Sequence, residues 1–414
     1  MENKELYKKE VQQAIGWAYH DLKWFTEKQA KLANKQRDGL LKSLSNKVNH
    51  SFMQGRVHTG NLSPGCLSCG RGCWSCIFIN TLCTAHCFYC PQDRKIKNEL
   101  PPHTDGIIFD NPGDYVGYLD KFNFKGVAFT GGEPLLAFGR LLEYINKIRE
   151  KFGKEFYLLV FTNGDLVNRD KLRRLKESGI NEIRFDISAG NYSLRSVELA
   201  AGIINTVTVE IPSIPEDYEV VKECLIKMQK IGVSYFNMHQ LFPSEYNYKN
   251  FISRGYTFIH QTNIPIFESE ISALRIIRFA RDHKISLPVN YCSVTWKNIF
   301  QGKGQRERAA FLIKEDFEEL TASGYIRSLL IQGPLTNIQE IIKALRRNKC
   351  PDNLWLLKKT KTEIFIHGSL LKYVDFIKSN LTVDYFQAQL IPEPKYEEIE
   401  KEVILKSWKK MFIT

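Results

Sequence analysis

The chain has 414 residues, 43% of them hydrophobic and 25% charged. That is enough for two or three domains and near the average for globular proteins, which excludes global disorder and collagen-like repeats. Lys and Arg outnumber Asp and Glu by 58 to 46, a formal net charge of +12, which permits an anionic partner without requiring one. The basic residues are scattered and carry no nucleic-acid motif, so nucleic acid stays a possible but unindicated partner. No apolar run reaches the roughly 20 residues that span a bilayer, and the opening Met1-Glu2-Asn3-Lys4-Glu5 has no signal-like apolar stretch. The expectation is a cytoplasmic protein with no membrane partner.

Residues 5–48 read as one or two helices, because Tyr7, Val11, Ala14, Ile15, Ala18, Leu22 and Phe25 recur at three- and four-residue steps. We expect residues 1–59 to form an N-terminal helical extension. From residue 60 the texture becomes rich in Gly, Pro and Cys. Six strand-like segments then alternate with helices: 77–80, 126–129, 156–161, 182–186, 206–210 and 234–238. This alternation predicts an α/β fold with a parallel sheet or partial barrel over residues 60–315. Beyond it, segments 325–332, 337–347, 354–359, 363–368, 370–379 and 383–391 spell β-α-β-β-α-β. That order predicts a small ferredoxin-like α+β domain over residues 316–414, closed by a helix at 396–412 carrying Tyr396, Ile399, Val403, Trp408 and Phe412.

Seven of the ten cysteines lie between Cys66 and Cys90. Crowding of this kind in a cytosolic chain points to metal rather than disulfides, most plausibly iron–sulfur, and so to a reducing, anaerobic setting. Cys83, Cys87 and Cys90 form C-x3-C-x2-C with Tyr89 before the last cysteine. Three thiolates can hold three irons of a [4Fe–4S] cluster and leave the fourth open to a small molecule; zinc is the alternative. Strand ends gather chemistry in parallel α/β folds. The cysteine loop, Gly131-Gly132-Glu133-Pro134 and Thr162-Asn163-Gly164 all fall there.

With this spacing the sequence resembles the radical S-adenosylmethionine (SAM) superfamily. The resemblance implies a partial (β/α)6 TIM-like barrel, a [4Fe–4S] cluster and SAM as cofactors. Gly131, Gly132, Glu133 and Pro134 would form the turn that contacts the SAM amino group, with Glu133 meeting the ammonium. By the same carry-over, Thr162 and Asn163 would line the cofactor pocket, and Asp186, Ser188 and Glu210 would be polar strand-end contacts. It also implies reductive cleavage of SAM to a 5′-deoxyadenosyl radical that abstracts hydrogen from a substrate, with flavodoxin or ferredoxin as reductant. Cys66-x2-Cys69, Ile77-Phe78-Ile79, Asn237-Met238-His239-Gln240-Leu241 and Tyr291-Cys292-Ser293, with Gln301 and Arg306, look like a poorly characterised branch related to pyruvate formate-lyase activating enzymes. That match covers roughly residues 60–315.

Upstream, Cys66, Cys69, Cys73 and Cys76 offer C-x2-C-x3-C-x2-C, which could hold a second [4Fe–4S] cluster, a single iron or zinc, and Cys292 could complete the site from afar. Cys224 and Cys350 read as inert core thiols. His239, ending the sixth strand, and Tyr291, beside Cys292, are candidates to relay a proton or hydrogen atom. The leading functional expectation is a radical SAM enzyme acting on a peptide or protein side chain, with an auxiliary metal site. The alternatives are a glycyl-radical enzyme activase and a non-catalytic Fe–S or zinc protein that binds nucleic acid.

Overall fold

Strand-forming runs of β-branched and aromatic residues, each ended by a polar or glycine-rich turn, build the sheet that carries the candidate site. In the computed structural model, residues 15–16, 18–44, 48–51, 56–92, 99–260, 263–374, 380–389 and 395–400 are described. The chain divides into two compact units, Met1–Thr104 with Ile108–Gln301, and Asp105–Ile107 with Gly302–Thr414.

Among the described residues of the first unit, seven strands run parallel and in chain order across one sheet. They are β2 (Trp74–Asn80), β3 (Gly126–Gly131), β4 (Tyr157–Thr162), β5 (Glu182–Phe185), β6 (Thr206–Pro212), β7 (Tyr235–His239) and β8 (Val289–Cys292). A further strand, β1 (Arg56–His58), joins β8 antiparallel, with Arg56 opposite Cys292. The six segments expected from sequence are thus extended by one parallel strand and flanked on both sides by short strands, Asn49–Ser51 beyond β1 and His103–Thr104 beside β2, each paired antiparallel. Central strands are covered on both faces: Val127, Ala128 and Phe129 of β3 and Leu158, Leu159 and Val160 of β4 are all inaccessible to solvent, as parallel sheets require. The crossover helices bury one stripe each; Phe138–Phe152 turns Leu141, Tyr144, Ile145 and Ile148 inward.

Helix α1 spans Glu27–Leu44, but Ile15, Ala18 and Leu22 lie in turns and pack with Phe251 and Phe258. Tyr7, Val11 and Ala14 lie outside the described residues.

In the second unit, β9 (Ile326–Gln332), β10 (Trp355–Leu357), β11 (Glu363–Ile366), β12 (Asn380–Gln389) and β13 (Lys395–Glu400) pair antiparallel in the order β10-β11-β9-β12-β13. Helix Leu335–Arg347 covers the sheet with Ile338, Ile341 and Leu345. Two sequence expectations change here. The helix expected at 370–379 is a 3-10 turn over Gly368–Tyr373, with 375–379 outside the described residues. The closing helix expected from 396 is a strand over Lys395–Glu400, whose backbone is paired with β12. Val403, Trp408 and Phe412 lie outside the described residues. No helix among the described residues is long and apolar enough to cross a membrane.

Candidate active site

The C-terminal end of β2 ties the cysteine loop to the glycine turn. Asn80, buried, donates from Nδ2 to the Glu133 carbonyl at 2.7 Å and accepts from the Leu82 amide at 2.5 Å. The amides of Gly132 and Glu133 donate to the carbonyls of Asn80 and Leu82 at 2.9 and 2.8 Å. No side chain fits between these segments. A Cβ on Gly131, whose φ is +133°, would stand 2.0 Å from the Asn80 oxygen, and one on Gly132 2.0 Å from the Leu82 oxygen.

Beyond this junction lies a cavity of about 620 Å³. Cys83, Cys87 and Cys90 line it together with Gly131, Gly132, Thr162, Asn163, Asp186 and His239. Three thiols from one short loop, facing backbone that approaches closely, are a donor set that fits a cluster with one iron left open. The loop is held from outside as well: Asn247 Nδ2 donates to the Tyr89 carbonyl at 2.9 Å and Asn250 Nδ2 to the Phe88 carbonyl at 2.8 Å. Asn163 donates to Thr84 Oγ1 at 2.8 Å, and the Tyr89 hydroxyl donates to Asp186 at 2.8 Å and meets Ser188 Oγ at 2.6 Å. Burial and the neighbouring Asp186 push the Tyr89 phenol well above its usual range, so it stays a neutral donor. Burial and the positive charge of Lys297 lower the His239 imidazole to about 3; its Nδ1 is enclosed with no hydrogen-bond partner among the described residues.

Other expected site residues lie elsewhere. Glu133 is fully buried behind the wall. Its Oε1 accepts from the Leu135 amide at 3.0 Å and Thr162 Oγ1 at 2.9 Å, and its Oε2 from the Asn163 amide at 2.8 Å. Burial raises its carboxyl despite these bonds. Pro134 is buried and opens the 3-10 turn Pro134–Ala137, and Ser188 reaches the site only through Tyr89 and Asp186. Tyr291 does not share the His239 cavity. Successive residues of a strand face opposite sides, and Tyr291 lines a separate space of about 580 Å³ with Arg37, His260 and Glu270.

Glu210 belongs to a second cavity, of about 140 Å³, lined by Cys66, Cys69, Cys76 and Cys292 with Arg56, Arg184 and Asn237. Strands from opposite sides of the parallel set, β1 next to β8 and β2 at its start, meet at this one space, so the sheet curls around it. Arg184 donates to Glu182 at 2.6 Å, Glu210 at 2.7 Å and Ser63 Oγ at 2.8 Å. Burial alone would raise the Glu210 carboxyl, but Arg184, with Lys297, outweighs it and brings it to about 2. Cys73 does not line this cavity; its Sγ donates to the Arg71 carbonyl at 3.5 Å. None of the ten cysteines forms a disulfide. Among the described residues, no three His, Cys, Asp or Glu side chains stand close enough to share one metal ion.

Sequence reasoning missed Asn80, Arg56 and Arg184. A signal existed for Arg184: Glu182, Arg184 and Asp186 alternate with Ile183 and Phe185, a polar stripe on one strand face. Arg56 lay in a segment read as part of the helical extension.

Residues 77–247 match the Radical SAM superfamily model. A Methanocaldococcus jannaschii protein provisionally named a glycyl-radical enzyme activating enzyme is 25% identical over 354 residues, covering 82% of this chain and 92% of that protein. The S-adenosyl-L-methionine-dependent 2-deoxy-scyllo-inosamine dehydrogenase of Niallia circulans is 27% identical over 117 residues, 27% of this chain and 43% of that protein. Among solved structures, the radical SAM methyltransferase TsrM from Kitasatospora setae matches with TM-score 0.33 and 15% identity over 46% of this chain and 41% of that one. Coproporphyrinogen III oxidase from Escherichia coli matches with TM-score 0.32 and 12% identity over 58% of this chain and 61% of that one. The matched family segment holds the three-cysteine loop, the glycine turn and the Thr-Asn-Gly turn that wall the larger cavity, and the chain carries a radical SAM superfamily domain over residues 77–247.

Proposed function

We propose that this enzyme cleaves SAM reductively at a cluster held by Cys83, Cys87 and Cys90, and acts on a side chain or backbone position of a protein or peptide. The observation that carries this reading is the three-thiol cavity walled by Gly131, Gly132, Thr162, Asn163 and Asp186. When bound, the cluster and SAM supply an electron and a 5′-deoxyadenosyl radical that takes hydrogen from the substrate. We read the curled sheet as a partial (β/α)6 barrel of the radical SAM type and the second unit as ferredoxin-like. A metal held by the upstream cysteines belongs to the same reading.

The chain's own residues have distinct tasks in this scheme. Gly131 and Gly132 wall the cavity, and because they have no Cβ their turn can lie against the Asn80–Leu82 backbone that leads into the cysteine loop. Glu133 positions that turn through its three hydrogen bonds rather than meeting the ammonium itself. Tyr89, locked to Asp186, orients the last turn of the cysteine loop. His239 stands neutral at the cavity wall, able to hydrogen-bond a substrate but not to carry charge at neutral pH. Flavodoxin or ferredoxin is the reductant.

The name of the Methanocaldococcus relative, which matches across 92% of its length, favours a protein substrate, and specifically a glycine Cα–H in an activase reaction. The test is anaerobic reconstitution with iron and sulfide, then dithionite and SAM, with 5′-deoxyadenosine quantified. Product from the native chain and none from Cys87→Ala is expected; equal product from both would overturn the assignment. A glycine-centred radical in the electron paramagnetic resonance spectrum, on adding a glycyl-radical enzyme, marks the activase form.

A further inference from the structure

The smaller cavity carries a more specific assignment than metal at the upstream cysteines, and it rests on that reading. We propose that Cys66, Cys69, Cys76 and Cys292 are the ligands of a second iron–sulfur cluster inside the curled sheet, with Arg56 and Arg184 as its charge partners and Cys73 not a ligand.

The four thiols reach one space from three elements. Cys66 and Cys69 are three residues apart on helix Pro64–Gly70, and so share a face. Cys76 points inward from β2 by strand parity, as shown by Ser75, which faces the other way and accepts from the Tyr115 hydroxyl at 2.8 Å. Cys292 comes from the last parallel strand, beside Arg56 of the antiparallel strand β1. Cys73, past the end of the helix, bonds to its own loop and is absent from the lining.

Electrostatics point to an anionic occupant. Arg56 is 3% exposed and Arg184 5%. Arg184 is paired with Glu182 and Glu210. Arg56 is not paired with a carboxylate: its Nη2 lies 3.8 Å from Cys292 Sγ, its guanidinium 3.8 Å over the Trp296 ring, and its Nε and Nη1 have no partner among the described residues. A buried guanidinium with idle N–H groups is costly. Thiolates around an iron–sulfur core supply the missing negative charge. Asn237 Nδ2 at 3.5 Å and Arg184 Nη2 at 3.8 Å already point at Cys66 Sγ, the kind of donor that tunes a cluster's potential.

Size separates a cluster from a single ion. Four thiolates on one tetrahedral ion, with metal–sulfur bonds of about 2.3 Å, close to within about 4 Å of one another. Here the thiols surround about 140 Å³ of space, which suits a core of several irons and sulfides. Four protein ligands leave no iron open, so this centre does not duplicate the SAM site. It is its near neighbour, since Phe161 and Lys297 line both cavities.

The test removes the first cluster and asks what remains. In the full chain carrying Cys83→Ala, Cys87→Ala and Cys90→Ala, anaerobic reconstitution is expected to leave about four irons and four sulfides per chain. Adding Cys292→Ser or Cys66→Ser should bring iron down at least fourfold, while adding Cys73→Ser should leave it unchanged. Iron lost with Cys73→Ser and kept with Cys292→Ser would overturn the ligand set while sparing the metal reading. One iron without sulfide, or zinc, would overturn the cluster alone, and no metal at all would overturn both. Should the cysteine variants fail to fold, Arg56→Met and Arg56→Lys give a second readout. Losing the cation should lower the second centre's reduction midpoint in Arg56→Met but much less in Arg56→Lys; an unmoved midpoint in both would overturn the charge assignment.

Discussion

Both carboxylate oxygens of Glu133 are taken up inside the protein, by the Leu135 and Asn163 amides and the Thr162 hydroxyl. The turn motif suggested this residue from sequence, but its chemistry here is that of a strut joining the glycine turn to the Thr-Asn-Gly turn. Glu133→Ala would strand three buried donors, and we expect it to destabilise the protein by about 3 kcal/mol or more. Glu133→Gln keeps an acceptor for some of them and should cost about 1–2 kcal/mol. Urea unfolding measures both, and a loss near zero for the alanine variant would show that the three bonds are not formed. A pH signature separates this role from simple packing. Burial raises the folded carboxyl above its unfolded value, so the fold holds that proton more tightly. This contribution is present below the unfolded value and is lost as pH rises through the folded one. The native chain should lose stability across that window relative to Glu133→Gln, which does not titrate.

At the scale of elements, the order of strands and helices was readable because hydrophobic runs and glycine-rich turns are local signals. The larger cavity was readable for the same reason, since Cys83, Cys87, Cys90, Gly131 and Thr162 all stand at or just past strand ends. What faces the interior of the sheet was harder to see. Strand β5 carries Glu182 and Arg184, 0% and 5% exposed, in a stretch that also reads as an ordinary amphipathic strand with a wet face. Only curling of the sheet turns that face inward, and curling depends on contacts between segments as distant as Arg56 and Cys292. The same cause hid the split between Tyr291 and His239: their strands are adjacent, with Met238 beside Tyr291 and His239 beside Cys292, and parity sends them to different spaces. The β5 stripe makes its own prediction. Removing the guanidinium with Arg184→Met leaves the Glu182 and Glu210 carboxylates buried without their cation. In the metal-free protein this should cost about 3–5 kcal/mol. Combining it with Glu182→Gln should cost less than the sum of the two single changes, because the partners are in contact. Strict additivity in chemical unfolding would mean the pair is not coupled.

Across the whole molecule, the groups around the smaller cavity come from residues 56 to 301, and all belong to the first compact unit. The larger cavity's lining, from Thr81 to Lys297, lies in that unit too. The second unit has its own core, built on Leu329, Ile331, Ile338, Leu345, Ile364 and Ile366. A ligand that binds only the folded first unit stabilises that unit by mass action, about 2.7 kcal/mol at a hundredfold excess over its dissociation constant. For a unit of this size that corresponds to a rise of about 4 °C in its midpoint. Anaerobic calorimetry of the full chain, with and without reconstituted iron and sulfide, should therefore show a selective effect. The transition of the first unit should rise, and that of the second should stay where it is. The Cys83→Ala, Cys87→Ala, Cys90→Ala chain should keep part of the rise, because the interior cysteines still bind. Equal movement of both transitions would mean that the units unfold as one, and no movement would mean that neither cavity holds metal in the folded state.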